Sequence, residues 1–499
     1  MELQFFGQTC ACLQSAVWEN KTEELTQEVR LSDGMADVGS ILGAWGQILV
    51  RSKEWRDRQM SISGGVTAWA MYSPENGGMP ETVEVWMPFH LHWDIPESKR
   101  DGNILVSCAV RSVDARSVSA RRIMFRSVIS VTGEGMIPSQ MEVFMPCDVP
   151  EDVQLLTRSY PVRLPKEAGE KTFVLDEELN LSSDADDTCK LVRCCVQPEI
   201  VDKKIMADKA VFRGAAIVDM LCLCESGKVV KQSFEIPFSQ FTELSGEYGP
   251  GATLWMNVAL TSVEPELLAD GVVRVKAGLI GQYTVHDTVQ MNVVEDAYST
   301  VRSVEPQSRI LDVPAVLEEK QELIKAEQLV ADDGFIPLDM GILLGQPEIY
   351  HENDSVSIEL SGMFQCLGTG ADNNYLTHNA TWKGALELPS SQSSKVLAWA
   401  QPTGKPQASQ TADGVLLKQD VLVDIRTVSK TGIPMITALT LGEMQEPNGE
   451  RPSLILCRAG QNSLWELAKT HGSTMDAIRQ LNGFADEPDG DKMLLIPVL

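Results

Sequence analysis

The chain has 499 residues, with 42 Lys and Arg against 70 Asp and Glu, for a formal net charge of −28 at pH 7. That length exceeds what one hydrophobic core organises and points to three or four domains. The charge argues against non-specific nucleic-acid binding and against an anionic membrane surface, while suiting a basic protein partner.

At the N-terminus, Met1 to Cys10 has no basic region and no sustained apolar run, so no secretory signal is expected, and no window reaches the length of a membrane span. The chain is expected to stay in the cytoplasm of the cell that makes it. Eleven cysteines, an odd number scattered along the chain, fit reduced thiols rather than a disulfide frame. Cys222 and Cys224 lie at strand spacing and read as small buried hydrophobes. Cys10 with Cys12, and Cys194 with Cys195, lack the two-residue spacer of most structural zinc sites.

Self-similarity organises most of the chain. Gln47, Gly64 and Val113 recur as Gln197, Gly214 and Val263, each 150 positions later. A third unit shares Gln346-Pro-Glu-Ile349 with Gln197-Pro-Glu-Ile200. The units are placed at 1–150, 151–300 and 301–446. In the first, Ser61 to Tyr72 is a strand run, and Val83, Val85, Met87, Phe89, Leu91 and Trp93 alternate with their neighbours, the period of a half-buried strand. Ala210 to Cys224 is the matching run of the second. Pro88 and Pro237 inside such runs require an edge strand or a bulge, since proline has no N–H for the ladder. Each unit therefore reads as an antiparallel β-sandwich. In the third, a helix is expected over Pro314 to Gln328, and a long polar loop over Gly368 to Asn379.

The last segment, 452–499, changes character. Leu454 to Cys457 reads as a strand, Ser463 with Glu466 forms a capping box, and Leu464, Leu467 and Ala468 share a helix face that Gly472 ends. A second helix spans Thr474 to Leu481, closed by Asn482-Gly483, and Met493 to Ile496 returns as a strand. In so small a domain nearly every apolar residue is expected to serve the core. The whole is thus mainly β: three tandem sandwich-like repeat units and a small βααβ domain.

That last segment resembles a LysM module. The resemblance implies binding of N-acetylglucosamine glycans between two loops, here Gly460, Gln461, Asn462 and Ser463, and Asn482, Gly483 and Phe484. One departure is that both Gln461 and Asn462 stand where the family has a single polar residue. Ser463, Asn482 and Gly483 also read as plain caps. Trp465 either packs inside the module or lines its docking surface.

Gly43 to Trp55, Ser63-Gly-Gly65 and Val113 to Arg121 resemble the SPOCS domain, and three such units before one LysM is similar to the SipL-like spore coat morphogenetic proteins. The resemblance implies a non-enzymatic scaffold, made in the mother cell of a sporulating bacterium and placed at the forespore surface. Its partners would be the coat-basement ATPase, reached through the LysM module, and other coat proteins. The alternative is a protein that binds peptidoglycan or a chitin-like glycan through the same module. No Walker loop, His-Glu-x-x-His or Gly-x-Ser-x-Gly occurs, and neither a cofactor nor a resident metal is expected. His90, His92 and Asp94 alternate on one strand face, which reads as a solvent face rather than a metal site. Arg111, Arg116, Arg121, Arg122 and Arg126 form a basic run in an acidic protein. Arg116 and Arg121 are the residues expected to meet an acidic partner, unless the run is a charge-protected sheet edge. Of the clustered Trp45, Trp55, Trp69, Trp86 and Trp93, most should be core, and an exposed Trp45 or Trp55 would be a contact.

Overall fold

The computed structural model describes residues 2–499 apart from 96–101, 183–188, 269–270, 332–333, 353–354, 373, 390–393, 430–431, 445–451, 459, 461 and 485–491. The chain is mainly β, and the helices of the described residues are confined to the C-terminal module. None is long and apolar enough to cross a membrane.

The first unit starts with β1 (Glu2–Leu3) and β2 (Phe5–Arg30), continues as the meander β3 (Val38–Arg56), β4 (Gln59–Pro74) and β5 (Glu81–Asp94), and ends in the hairpin β6 (Asn103–Ser119) and β7 (Arg122–Pro146). The second follows the same plan with β8 (Val153–Asn180), β9 (Lys190–Met206), β10 (Lys209–Leu223), β11 (Val229–Glu243), β12 (Thr253–Leu267) and β13 (Val272–Ser299). In the third, the opening strand is split into β14 (Arg302–Leu311) and β15 (Val316–Val330). Then come β16 (Ile336–Leu344), β17 (Glu348–Glu352), β18 (Ser355–Thr369), β19 (Tyr375–Pro389), β20 (Ser394–Thr411), β21 (Gly414–Ser429) and β22 (Ile433–Met444). The module has β23 (Leu454–Arg458), α1 (Leu464–His471), α2 (Met475–Asn482) and β24 (Met493–Pro497).

Every unit is built on two antiparallel sheets, and β14 and β22 of the third form a further one with β1. The opening strand pairs with the last, which pairs with the one before it: β2-β7-β6, β8-β13-β12 and β15-β21-β20. The meander forms the second sheet: β3-β4-β5, β9-β10-β11, and β18 flanked by β16, β17 and β19. Each pair of sheets closes on its own apolar core, with Met60, Trp93 and Phe125 in the first, Phe212 and Val285 in the second, and Phe335 and Phe364 in the third. Pro88 and Pro237 lie in β5 and β11, which pair on one side only, as a residue without an N–H requires.

The recurring Gly64 and Gly214 have a common cause. In each case the partner strand carries one extra residue: the register steps from Val50 to Ser52 opposite Gly64, and from Ile200 to Asp202 opposite Gly214. The bulge presses backbone onto the glycine, so a Cβ would lie 2.0 Å from the Leu49 carbonyl oxygen at Gly64 and 1.9 Å from that of Glu199 at Gly214.

Two sequence expectations fail in the third unit. The segment expected as a helix, Pro314 to Gln328, is strand β15, paired with β21 from Val316↔Val428 to Val330↔Val415. Its Glu, Lys and Gln content favours a helix, but Ala326 and Val330 alternate onto the core, and pairing with β21 outweighs that local preference. The polar loop expected over Gly368 to Asn379 is much shorter, since β18 runs to Thr369 and β19 starts at Tyr375.

The long strands extend past the sandwiches into a second tier. There β2 with β7, β8 with β13, and β14 with β22 form ribbons around Cys12, Val143, Leu164, Val293, Leu311 and Met435. The joint between tiers is a register shift at Ser15/Val17 in the first unit, one at Val285/His286 in the second, and the complete break before β15 in the third. β1 pairs with β22, so the two ends of the three-unit body share a sheet.

Candidate functional site

The C-terminal module carries the residues singled out by sequence, and it is built from its caps inward. The Ser463 hydroxyl accepts from the Glu466 N–H at 3.2 Å, while the Glu466 carboxylate accepts from the Ser463 N–H at 2.9 Å, so the capping box starts α1. Thr474 caps α2, and Gly472 and Gly483 end the two helices in the left-handed conformation. Leu464, Leu467, Ala468 and Ile478 then pack on Leu494 and Ile496 of the two-stranded sheet.

This construction consumes much of the expected binding set. Asn482 donates to the Ile478 and Leu495 carbonyls and accepts from the Leu495 N–H at 2.8 Å, tying α2 to β24. Ser463 is occupied by its cap. Phe484 packs on the module core with Lys492 5.1 Å above its ring. Gly460, Asn462 and Gly483 remain exposed at the loops, and Gln461 lies outside the described residues. Contrary to the expectation that nearly every apolar residue here serves the core, Leu454, Leu456, Leu481 and Met493 are exposed. A two-stranded sheet has only one face for the helices to cover.

Trp465 packs in the buried cluster of the module, the first of its two expected places, and that cluster takes in Tyr298 of β13. It is 5 % exposed, and its indole leaves the module to meet the end of β13, stacking edge-on against Tyr298 at 4.8 Å and donating to Asp296 at 2.8 Å. Lys469, one turn on, binds both oxygens of Asp296 at 2.7 and 2.6 Å, and the Tyr298 hydroxyl donates to the Ser473 carbonyl at 2.8 Å. Burial opposes ionisation of Asp296, yet the Lys469 ammonium, the Trp465 N–H and the Ala297 amide together hold its pKa below the ordinary carboxylate value. Asp296 and Tyr298 carry no local signal in the sequence, because only the seating of the module gives them a role.

The three units interlock in a ring. β6 of the first lies against β16 of the third, and β12 of the second lies against β3 of the first. The circuit closes where Gln197 and Glu199 of β9 bond Pro402 and Gly404 of β20. The three glutamines that mark the repeat each reach into a neighbouring unit. Gln47 exchanges two hydrogen bonds with the Val196 backbone, Gln197 donates to the Pro402 carbonyl at 2.7 Å, and Gln346 accepts from Asn20 and Ser130. A cavity of about 350 Å³ remains inside the ring, lined from all three units by Trp45, Gln47, Arg193, Asn257, Met340 and Trp399.

Buried charge also joins the units of the ring. Arg426 of β21 meets Glu134 of β7 at 3.1 Å and stands 3.4 Å from Glu319, with its guanidinium 5.0 Å from the Trp255 ring and 5.3 Å from that of Trp399. Glu319 also binds Arg163 at 2.8 Å and faces His286 at 3.4 Å. Burial pushes the His286 pKa down, toward the neutral imidazole. Burial opposes the Glu319 charge as well, but His286 and the permanently charged Arg426 and Arg163 bring its pKa down to about 2. A carboxylate held this way keeps its charge near neutral pH, and its ion pairs join the units. A second buried set joins the second and third units: Asp339 takes Arg193 and Lys231, each at 2.8 Å, and Arg193 lies over the Trp45 ring of the first unit.

The basic run is mostly spent within the first unit. Arg122 pairs with Glu28 and Arg126 with Glu24 across the β2–β7 ladder, and Arg121 holds the Ser32 and Met35 carbonyls and Asp37. Arg111 donates to Thr22. Arg116 is exposed on β6. Among the tryptophans, Trp45 is buried at the unit junction and Trp55 is half-buried, while Trp86 is the more exposed, at 37 %, beneath Arg51. His90, His92 and Asp94 are exposed on β5, whose other face buries Met87, Phe89 and Trp93. The thiol expectation needs correction: Cys224 is disulfide-bonded to Cys189, because pairing of Leu223 with Lys190 brings the flanking cysteines opposite each other. Cys222 stays a buried thiol, pushed up to about 11 by burial.

No curated protein and no solved structure matches the chain. The sequence resemblance was carried mainly by the first unit, whereas the family match falls in the second, over β9 to β12. Residues 188–265 match the family model described as SipL, SPOCS domain, a match over part of the second unit that supports a SipL-like, sporulation-related protein.

Proposed function

We propose that this protein is a non-enzymatic scaffold of endospore coat assembly, held in the mother cell at the forespore surface. In this reading the C-terminal module attaches it to the coat-basement ATPase, and the three-unit body spaces it from other coat proteins. The observation that carries the reading is the SPOCS match within a body whose buried charges join unit to unit. The expected LysM loop residues Ser463 and Asn482 are engaged within the module, which favours protein attachment over glycan recognition by these side chains. Attachment through one module on a rigid spacer raises the effective concentration of whatever the body carries.

The test is recovery of the ATPase from sporulating cells on the full chain and on a chain lacking residues 452–499. Recovery on the full chain alone is expected. Equal recovery on both would remove the module from the contact, and retention of the full chain on chitin oligomers or peptidoglycan would favour the glycan reading.

A further inference from the structure

We propose that Cys189 and Cys224 form a reversible redox lock at the meeting point of the three units, shut as a disulfide in oxidising surroundings and open as two thiols in a reducing cytoplasm; the cytoplasmic half of this rests on the mother-cell reading. Cys189 stands immediately before β9 and Cys224 immediately after β10, one step past the last ladder pair, Leu223↔Lys190. The bond thus closes the hairpin where the ladder stops. Beyond it the chain turns: the Cys224 N–H donates to the Lys228 carbonyl at 3.0 Å, and the Gly227 N–H to the Cys224 carbonyl at 2.9 Å. The third unit grips that turn through Tyr375 of β19, whose hydroxyl accepts from the Val229 N–H at 2.8 Å and donates to the Gly227 carbonyl at 3.0 Å. Leu223 and Val229, on either side of the turn, are buried with Trp45, Trp69 and Met71 of the first unit and Leu367 of the third. A bond that fixes Cys224 therefore fixes the turn on which the other two units close.

Both oxidation states suit the site. Cys189 and Cys224 are buried with Cys222 and Val230, so as thiols they remain small apolar side chains and leave no charge in the core. The ladder from Lys209↔Met206 to Leu223↔Lys190 holds β9 on β10 in either state. What reduction removes is the tether on the turn. Cys222 lies in the same cluster, but burial pushes its thiol up to about 11, so it carries too little thiolate to reshuffle the pair. In a reducing cytoplasm disulfides are confined to transient or sensing roles, which suits a lock better than a permanent staple. The oxidant is a low-molecular-weight disulfide. One protein thiolate attacks it and expels a thiolate; the second attacks the resulting mixed disulfide at the protein sulfur and expels the other. The two cysteines lose two protons and two electrons in sum, and the small disulfide becomes two thiols.

The test equilibrates the purified full chain in glutathione buffers from fully reduced to fully oxidised, traps free thiols by alkylation, and reads hydrogen exchange in each buffer. A single reversible transition of Cys189 and Cys224 in the folded chain is expected. In the reduced form the Gly227 and Val229 amides should exchange about fivefold faster or more, with β4 and β13 unchanged. The double change Cys189→Ala with Cys224→Ala should exchange at the faster rate in every buffer. Coupling is reciprocal, so Tyr375→Phe, which removes the hydroxyl that grips the turn, should shift the transition toward the thiols. Thiols that stay unpaired at the oxidised end, or a disulfide that survives the reduced end, overturn the proposal. So does reduction that leaves Gly227 and Val229 as protected as before, or a transition that Tyr375→Phe does not move. These readouts need no partner, so they are independent of ATPase recovery: the lock and the docking reading can each fail while the other stands.

Discussion

The indole N–H of Trp465 donates to the carboxylate of Asp296 at 2.8 Å, across 169 residues of chain. Together with Lys469 on the same carboxylate and Tyr298 against the same ring, it makes the C-terminal module part of the second unit's surface rather than a pendant domain. The module is too small for a generous core of its own, so this seat contributes materially to its folding.

Trp465→Ala should therefore unfold the module selectively. Loss of a buried aromatic costs about 3–5 kcal/mol, enough to exceed the stability of so small a domain. Hydrogen exchange should show loss of protection over α1 and α2 with β2 to β13 unchanged. Asp296→Asn keeps the shape but weakens charge-assisted bonds, and a loss of about 1–3 kcal/mol is expected at the same amides.

Glycines under a bulge should separate from Gly362 of β18, where the register is regular. At Gly64 and Gly214 a methyl group meets carbonyl oxygen at 2.0 and 1.9 Å, whereas at Gly362 the nearest atom is 3.1 Å away. Gly64→Ala and Gly214→Ala should each destabilise by about 3 kcal/mol or more, and Gly362→Ala by about 1 kcal/mol or less. Urea midpoints at constant slope measure the difference.

Acid should loosen the ring through Glu319. Its pKa is about 2 in the folded chain against an ordinary 4.5, so the folded state favours the charged form. The corresponding stability, on the order of 3 kcal/mol, is fully present above pH 4.5 and is lost as pH falls from there toward 2. Glu319→Gln should be less stable at pH 7, since it leaves Arg426 and Arg163 short of a partner, yet its urea midpoint should fall less steeply over that acid range.

Much of the local structure was legible. The alternation from Val83 to Trp93 marks β5, and Ser463 with Glu466 marks the start of α1, because side chains two or three residues apart report directly on the backbone between them. Gly64 and Gly214 were legible as a repeat but not as the floor of a bulge, which depends on an extra residue in the partner strand. The helix expected over Pro314 to Gln328 shows the opposite case: propensity is a weak term, and pairing with β21, about a hundred residues on, overrides it. The disulfide joins Cys189 and Cys224 across 35 residues, a relation that register creates and spacing does not reveal.

By itself the sequence determined strand periodicity, helix caps and the recurrence of Gln47 and Gln197, since each is set by chemistry within a few residues or by direct comparison of segments. Only the tertiary structure decided that those glutamines clasp neighbouring units, that Arg426 finds Glu134, and that Trp465 is spent on Asp296. Such contacts join positions more than a hundred residues apart and leave no local trace, because the energy that selects them comes from burying whole faces at once.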